Sequence, residues 1–93
     1  MDEISFNHNR ELQSFTLTKN GIISFINYQV RNNVYVLWHS EVPAQFRGQG
    51  IGKELVEKTF EYIIENDLKA MATCSYIRAI ARQNNKWHKH IQF

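Results

Sequence analysis

The sequence predicts a mixed α/β (α+β) sheet: an antiparallel β-meander, then a β-α-β crossover, then a second helix. Three observations carry that expectation. Two alternating runs flank Asn20-Gly21, a strong hairpin signal because both residues tolerate positive φ. Residues 34–38, Val-Tyr-Val-Leu-Trp, are apolar on both faces, as a central strand is. After them come three glycines in five positions, followed at once by a long amphipathic run.

Taken in order, residues 4–6 read as a short first strand or a loose end, and Asn7-His8-Asn9-Arg10 as a solvated turn. Residues 12–18 alternate, with Phe15 and Leu17 on one face and Ser14 and Thr16 on the other, and residues 22–28 return after the turn. A polar turn at Arg31-Asn32-Asn33 leads into the central strand, which runs from residue 34 to 42. The helix follows the glycine turn and reaches about Asn66, burying Ile51, Leu55, Thr59 and Ile63 with Val56, Phe60 and Ile64. Residues 68–73 form a short apolar strand, and a second helix starts near Cys74 or Ser75 and ends near Asn84. The tail, residues 87–93, reads equally as a last edge strand or a packed end. A right-handed crossover over residues 34–73 makes its two strands parallel. Their carboxyl ends then share one edge of the sheet, where open α/β sheets take ligands. His39, Glu41, the glycine turn and Cys74 all converge on that edge.

A chain of 93 residues suits a single domain, 1–93. A hydrophobic share of 43% against 22% charged residues is globular rather than disordered composition. A net charge of +2 suits an anionic ligand without calling for nucleic acid. Cys74 is the sole cysteine, so no internal disulfide forms and a reducing compartment is expected. Met1-Asp2-Glu3 opens with acids rather than a basic leader, and no apolar run has the length of a membrane span. The expectation is a soluble, cytoplasmic protein, with a monomer as the default.

The chemistry centres on Gln45-Phe46-Arg47-Gly48-Gln49-Gly50-Ile51-Gly52-Lys53. Glycines let such a turn fold back so that several N–H groups face one point. The first turn of the helix adds orphan donors and the positive end of its dipole. An anion held largely by main chain, most simply a pyrophosphate, fits that cup. Arg47 adds a cation beside it. The spacing matches neither a P-loop nor the six-residue dinucleotide pattern, so nucleotide hydrolysis and hydride transfer are not supported.

Arg47-Gly48-Gln49-Gly50-Ile51-Gly52 resembles the arginine-x-x-glycine-x-glycine motif of the GCN5-related N-acetyltransferases. Together with His39-Ser40-Glu41-Val42-Pro43 and Cys74-Ser75-Tyr76, it resembles the compact YjdJ-type branch of that superfamily. The resemblance implies an acetyl-coenzyme A (acetyl-CoA) cofactor, with its pyrophosphate over residues Gly48, Gln49, Gly50, Ile51, Gly52 and Lys53. It also implies transfer to an amine acceptor, and backbone pairing of the strand ending at Val42 with the pantetheine arm. Amides near Val42 would then stabilise the developing oxyanion.

Three side chains stand as candidates for the chemistry. A lone cysteine is most often a small buried hydrophobe, but Cys74 at a strand end and helix N-terminus favours the thiolate, as nucleophile or base. His39 and Glu41, on one face of an alternating strand, are the other bases, because an amine with a pKa of about 10.4 must lose a proton before it attacks. Tyr76 fits a packed helix tyrosine better than an acid. Arg78, Arg82 and Lys86 repeat every four residues as a solvated basic stripe, and a nucleic-acid-binding role for it ranks below the acetyl-transfer reading. His88 and His90 without further ligands do not make a metal site. The main rival to an acetyltransferase is a module that binds CoA without catalysis.

Overall fold

The computed structural model describes residues 4–46 and 48–93. Six strands form one sheet in sequence order: β1 (Ile4–Asn9), β2 (Ser14–Lys19), β3 (Ile22–Arg31), β4 (Val34–Glu41), β5 (Lys69–Ala72) and β6 (Ile91–Gln92). The first four pair antiparallel, and β4–β5 and β5–β6 pair parallel. The hairpin forms where the sequence placed it. Asn20 and Gly21 take φ of 51° and 76°, so Lys19 pairs with Ile22. Asn32 and Asn33, at φ of 50° and 66°, turn β3 into β4 in the same way. These are conformations that asparagine and glycine adopt at least cost.

Two parallel crossovers follow. Helix α1 (Ile51–Glu65) joins β4 to β5, and α2 (Ser75–Gln83) with a 3₁₀ turn at Asn85–Trp87 joins β5 to β6. Both step across the sheet in the same direction. Right-handed crossovers of that kind put both helices on the same face. The core confirms it: Phe15, Leu17, Ile26, Leu37, Ala70 and Ala72 from one side of the strands bury against Leu55, Val56, Phe60, Ile63, Ile77 and Ile80. Large apolar side chains buried this fully contribute about 1.5–3 kcal/mol each. Ala70 and Ala72, poor strand formers, are small enough to let α1 and α2 sit side by side over β5. The tail does both things the sequence allowed. Trp87 is buried with its ring 5.2 Å from Phe60, and β6 forms the edge. None of the described helices is long and apolar enough to cross a membrane.

Among the described residues, no helix covers the opposite face of the sheet. Ile23, Trp38 and Met71 are exposed on or beside it and Phe25 is half-buried. A β-bulge shapes this face. Asn27 pairs with His39 but Tyr28 pairs with Leu37, so Trp38 is the extra residue of β4. The bulge reverses the alternation. Leu37 points into the core, His39 and Glu41 belong to the bare face, and Ser40 returns to the helix side.

The first strand corrects one expectation. Residues 4–9 form a full edge strand, and His8 belongs to it rather than to a solvated turn. Ile4, Phe6 and His8 alternate onto the core side. The His8 ring stacks on Phe15 at 4.4 Å, with Nε2 2.6 Å from the Tyr28 hydroxyl and Nδ1 2.9 Å from the Tyr62 hydroxyl. The neutral ring donates through one nitrogen and accepts at the other. Burial, helped by the charge of Arg10, lowers its pKa. The unfolded chain therefore takes up the proton first as pH falls. The stabilisation is complete above the unfolded value of about 6.5 and is lost as pH falls through the lower folded value. His8→Ala, which strands the Tyr28 hydroxyl, is expected to cost about 1–3 kcal/mol in urea unfolding at pH 7.5. As pH falls below about 6.5 the wild-type midpoint should drop more steeply than that of His8→Ala.

Candidate functional site

The site begins where the parallel strands part. β4 and β5 stay in register only as far as Leu37 and Ala72. The Leu37 carbonyl then accepts the amides of Thr73 and Cys74 at 3.0 and 3.3 Å. Beyond it β4 runs on to Glu41 while the chain after β5 turns into α2, opening a gap in the sheet. Cys74 stands on the near side of that gap as the residue preceding α2, and Ser40 on the far side, with Oγ 3.4 Å from the Cys74 sulfur.

A cleft of about 470 Å³ runs from this gap along the mouth of α1, lined by Ser40, Val42, Phe46, Gly48, Gly50, Ile51, Gly52, Lys53 and Tyr76. The loop that forms it is stitched to itself. The Gln49 amide donates to the Phe46 carbonyl at 3.1 Å and the Gln49 side chain to the Gln45 carbonyl at 2.9 Å. Gly48 and Gly50 take φ of 79° and 75°. Gly50 precedes α1 without a side-chain cap, and the first helical bond described there is from Glu54 to the Gly50 carbonyl, at 3.0 Å. The amides of Ile51, Gly52 and Lys53 therefore have no partner within the helix, the arrangement that favours an anion. Gly52 serves a different purpose. A Cβ there would overlap the Tyr76 hydroxyl, so its absence lets the phenol close over the helix mouth.

The expected site residues divide into three groups. Gly48, Gly50, Ile51, Gly52, Lys53 and Val42 all line the cleft, while Gln49 holds the turn without lining it. Arg47 lies outside the described residues. Cys74 meets the end of the cleft through Ser40. His39 and Glu41 reach the same edge but on the bare side, with His39 Nε2 3.8 Å from Glu41 Oε1. Two lining residues escaped the sequence reading. Ser40 faces Cys74 only because the bulge shifts β4, which no pattern announces. Tyr76, read as packed, is 44% exposed in the cleft wall. Its place two residues after Cys74, in the first turn of the second helix, was the available signal. The basic stripe is partly engaged by the tail: Arg82 sits over Phe93 at 5.8 Å and Lys86 over Trp87 at 4.4 Å. Among the described residues no cluster of three His, Cys, Asp or Glu side chains is placed to hold a metal ion.

Cys74 is electrostatically unusual. Burial pushes its thiol up, but the Ser40 hydroxyl and the amides of Ile77, Tyr76 and Ser40 together outweigh burial and bring the pKa below the ordinary thiol value. The two helix amides favour the charge although the sulfur makes no capping hydrogen bond. Burial raises the Tyr76 phenol, keeping it protonated. Alkylation of Cys74 by iodoacetamide should therefore reach its half-maximal rate below the pH of about 8.5 typical of a free thiol. Ser40→Ala, by removing a bond that favours the thiolate, should move that midpoint upward. A midpoint unchanged in Ser40→Ala would show that the hydroxyl does not tune the thiol.

Residues 14–91 match the family model described as GCN5-related N-acetyl-transferase. The chain is 34% identical over 95 residues to Protein NATD1 of Gallus gallus, covering 96% of this chain and 86% of that one. It is 35% identical over 85 residues to Protein NATD1 of Homo sapiens, covering 87% and 74% respectively. The solution structure of a GCN5-like protein from Staphylococcus aureus superposes with a TM-score of 0.68 at 27% identity, covering 96% of this chain and 86% of that one. The glycine loop, the parted strands and these likenesses agree, and the chain belongs to the GCN5-related N-acetyltransferases.

Proposed function

We propose that the chain, acting as a single domain, moves the acetyl group of acetyl-CoA to an amine. The observation that carries this reading is the cleft itself. It runs from a glycine cup with anion-favouring amides to Ser40, whose hydroxyl lies 3.4 Å from the Cys74 sulfur and helps lower the pKa of that thiol. The residues present fit the cofactor: Gly48 and Gly50 keep the cup free of side chains, and Lys53 adds a cation. The amides of Ile51, Gly52 and Lys53 would hold the pyrophosphate, and β4 up to Val42 would align the pantetheine arm. Bound acetyl-CoA supplies an activated thioester.

The chain's own residues then move protons and orient groups. On the direct route His39 or Glu41 takes the proton that the amine must lose. On the covalent route the Cys74 thiolate would be the nucleophile that takes the acetyl group, with the coenzyme thiol as leaving group, and the amine would later displace Cys74. Tyr76, in the cleft wall with its phenol pKa raised by burial, would give its proton to the departing sulfur. Amides near Val42 favour the negative charge that builds on the acetyl oxygen. A module that only stores CoA would have no use for an activated thiol at the end of the groove. That argues against the non-catalytic alternative.

Two measurements test this. In a thermal-shift titration, acetyl-CoA at 100 times its Kd should stabilise the wild type by about 2.7 kcal/mol. Gly50→Val should lose that stabilisation, because a β-branched residue at φ 75° distorts the cup. Its unliganded Tm reports the strain separately. Incubation with acetyl-CoA and no amine should add one acetyl group to Cys74, seen by peptide mass, and Cys74→Ala should abolish both the adduct and most turnover. Full activity in Cys74→Ala would leave only the direct route.

A further inference from the structure

The whole-chain charge of +2 conceals a division along the sequence. Residues 69–93 carry five Lys or Arg and no Asp or Glu, whereas residues 1–68 carry six Lys or Arg against nine acids. A sign asymmetry of this kind marks a segment that meets anions. The fold gathers part of the basic segment around a cleft of about 580 Å³, within the range of about 300–1,000 Å³ for ligand sites. Lys69 opens β5 there, His88, Lys89 and His90 lead into β6, and Phe93 follows it. These are the amino ends of the parallel strands, so this cleft lies at the opposite edge of the sheet from the glycine cup. The two clefts share no lining residue.

The cations of this cleft have no acid to meet. No Asp or Glu is among the described residues that line it, and Glu65 and Asp67, the acids closest to Lys69 in sequence, are not part of the lining. Among the described residues neither Lys69 nor Lys89 makes an ion pair, and both are exposed. Rings stand among these charges. Phe93 is 37% exposed, with the His88 ring 5.1 Å from it and the Arg82 guanidinium 5.8 Å over it. An acidic peptide would engage the cations but leave the rings unused. A single nucleic-acid strand engages both, its phosphates meeting Lys and Arg while its bases lie on aromatic faces. A duplex keeps its base faces within its own stack.

We propose that this cleft binds single-stranded nucleic acid, with a base against Phe93 and His88 and phosphates at Lys69, Arg82 and Lys89. The site stands apart from the cofactor cleft and does not depend on the acetyl-transfer reading. RNA, DNA and free nucleotides share the chemistry of base and phosphate. A strand is favoured over a single nucleotide because the three cations stand on three elements, β5, α2 and the turn before β6, where each can meet a different phosphate.

The test follows the fluorescence anisotropy of a labelled oligouridylate of about 12 nucleotides as the full chain is added, with and without saturating CoA. Three phosphate contacts predict a log–log salt slope of about −2, or roughly 20-fold weaker binding between about 50 and 200 mM KCl. Lys69→Gln combined with Lys89→Gln should bring the slope to about −0.7. Phe93→Ala should weaken binding about tenfold and leave the slope alone. Lys58→Gln, on α1 and outside the cleft, should change neither. An unchanged unliganded Tm in the double variant shows that contacts, not folding, were lost. A salt-independent affinity, full affinity in the double variant, or an oligoglutamate of equal length binding as tightly would overturn the proposal. So would equal binding of a duplex, equal binding of uridine monophosphate, or binding that CoA abolishes, which would place the strand at the glycine cup instead. Oligothymidylate measured in parallel distinguishes DNA from RNA as the source of the strand.

Discussion

The Leu37 carbonyl is the hinge of the whole arrangement. By accepting two amides, from Thr73 and Cys74, it ends the β4–β5 ladder at a fixed point and starts α2 from the same place. A parallel pair that stayed in register to Glu41 would close the gap in the sheet. Its backbone groups would be spent on each other, and no extended ligand arm could pair with β4. The bulge one residue later completes the effect. Bulges twist and re-aim a strand. Here that brings Ser40 to face Cys74 and turns His39 and Glu41 the other way.

Topology then divides the labour between the two faces. Two right-handed crossovers stepping the same way crowd both helices, and all the helix-mouth amides they bring, onto one side. The other side keeps strands, aromatic rings and a carboxylate. A transferase that must admit two reactants gains from such a division, since each can enter without displacing the other.

Much of this was legible in the sequence because local chemistry dictated it. Asn20-Gly21 could form little else but a tight hairpin, and Gly48, Gly50 and Gly52 before a 3.6-residue apolar period announced the loop and helix. The parallel crossover followed from chain order, and with it the arrival of Cys74 at the edge holding the glycine loop. What stayed hidden depended on long-range partners. His8 reads as part of a polar run until Tyr28 and Tyr62, 20 and 54 residues away, supply its hydrogen bonds. The bulge at Trp38 arises from two strands competing for register, so neither strand's pattern records it. Ser40 and the true faces of His39 and Glu41 were lost with it.

Local stability itself points to the same corner. Helices ordinarily begin with Ser, Thr, Asp or Asn, whose side chains satisfy orphan amides, and losing such a cap costs about 1 kcal/mol. The chain can supply one: Asn84 accepts the Lys86 amide at 3.1 Å to start the short 3₁₀ turn, away from the cleft. Yet α1 starts from Gly50 and α2 from Cys74, neither with a side-chain cap. Both uncapped mouths open on the gap between β4 and β5. Both α-helices forego this device where their mouths face one cleft, which leaves the α1 amides open to a ligand and turns the α2 amides on the Cys74 sulfur. At Gly50 they suit phosphate oxygens, and at Cys74 they suit a thiolate.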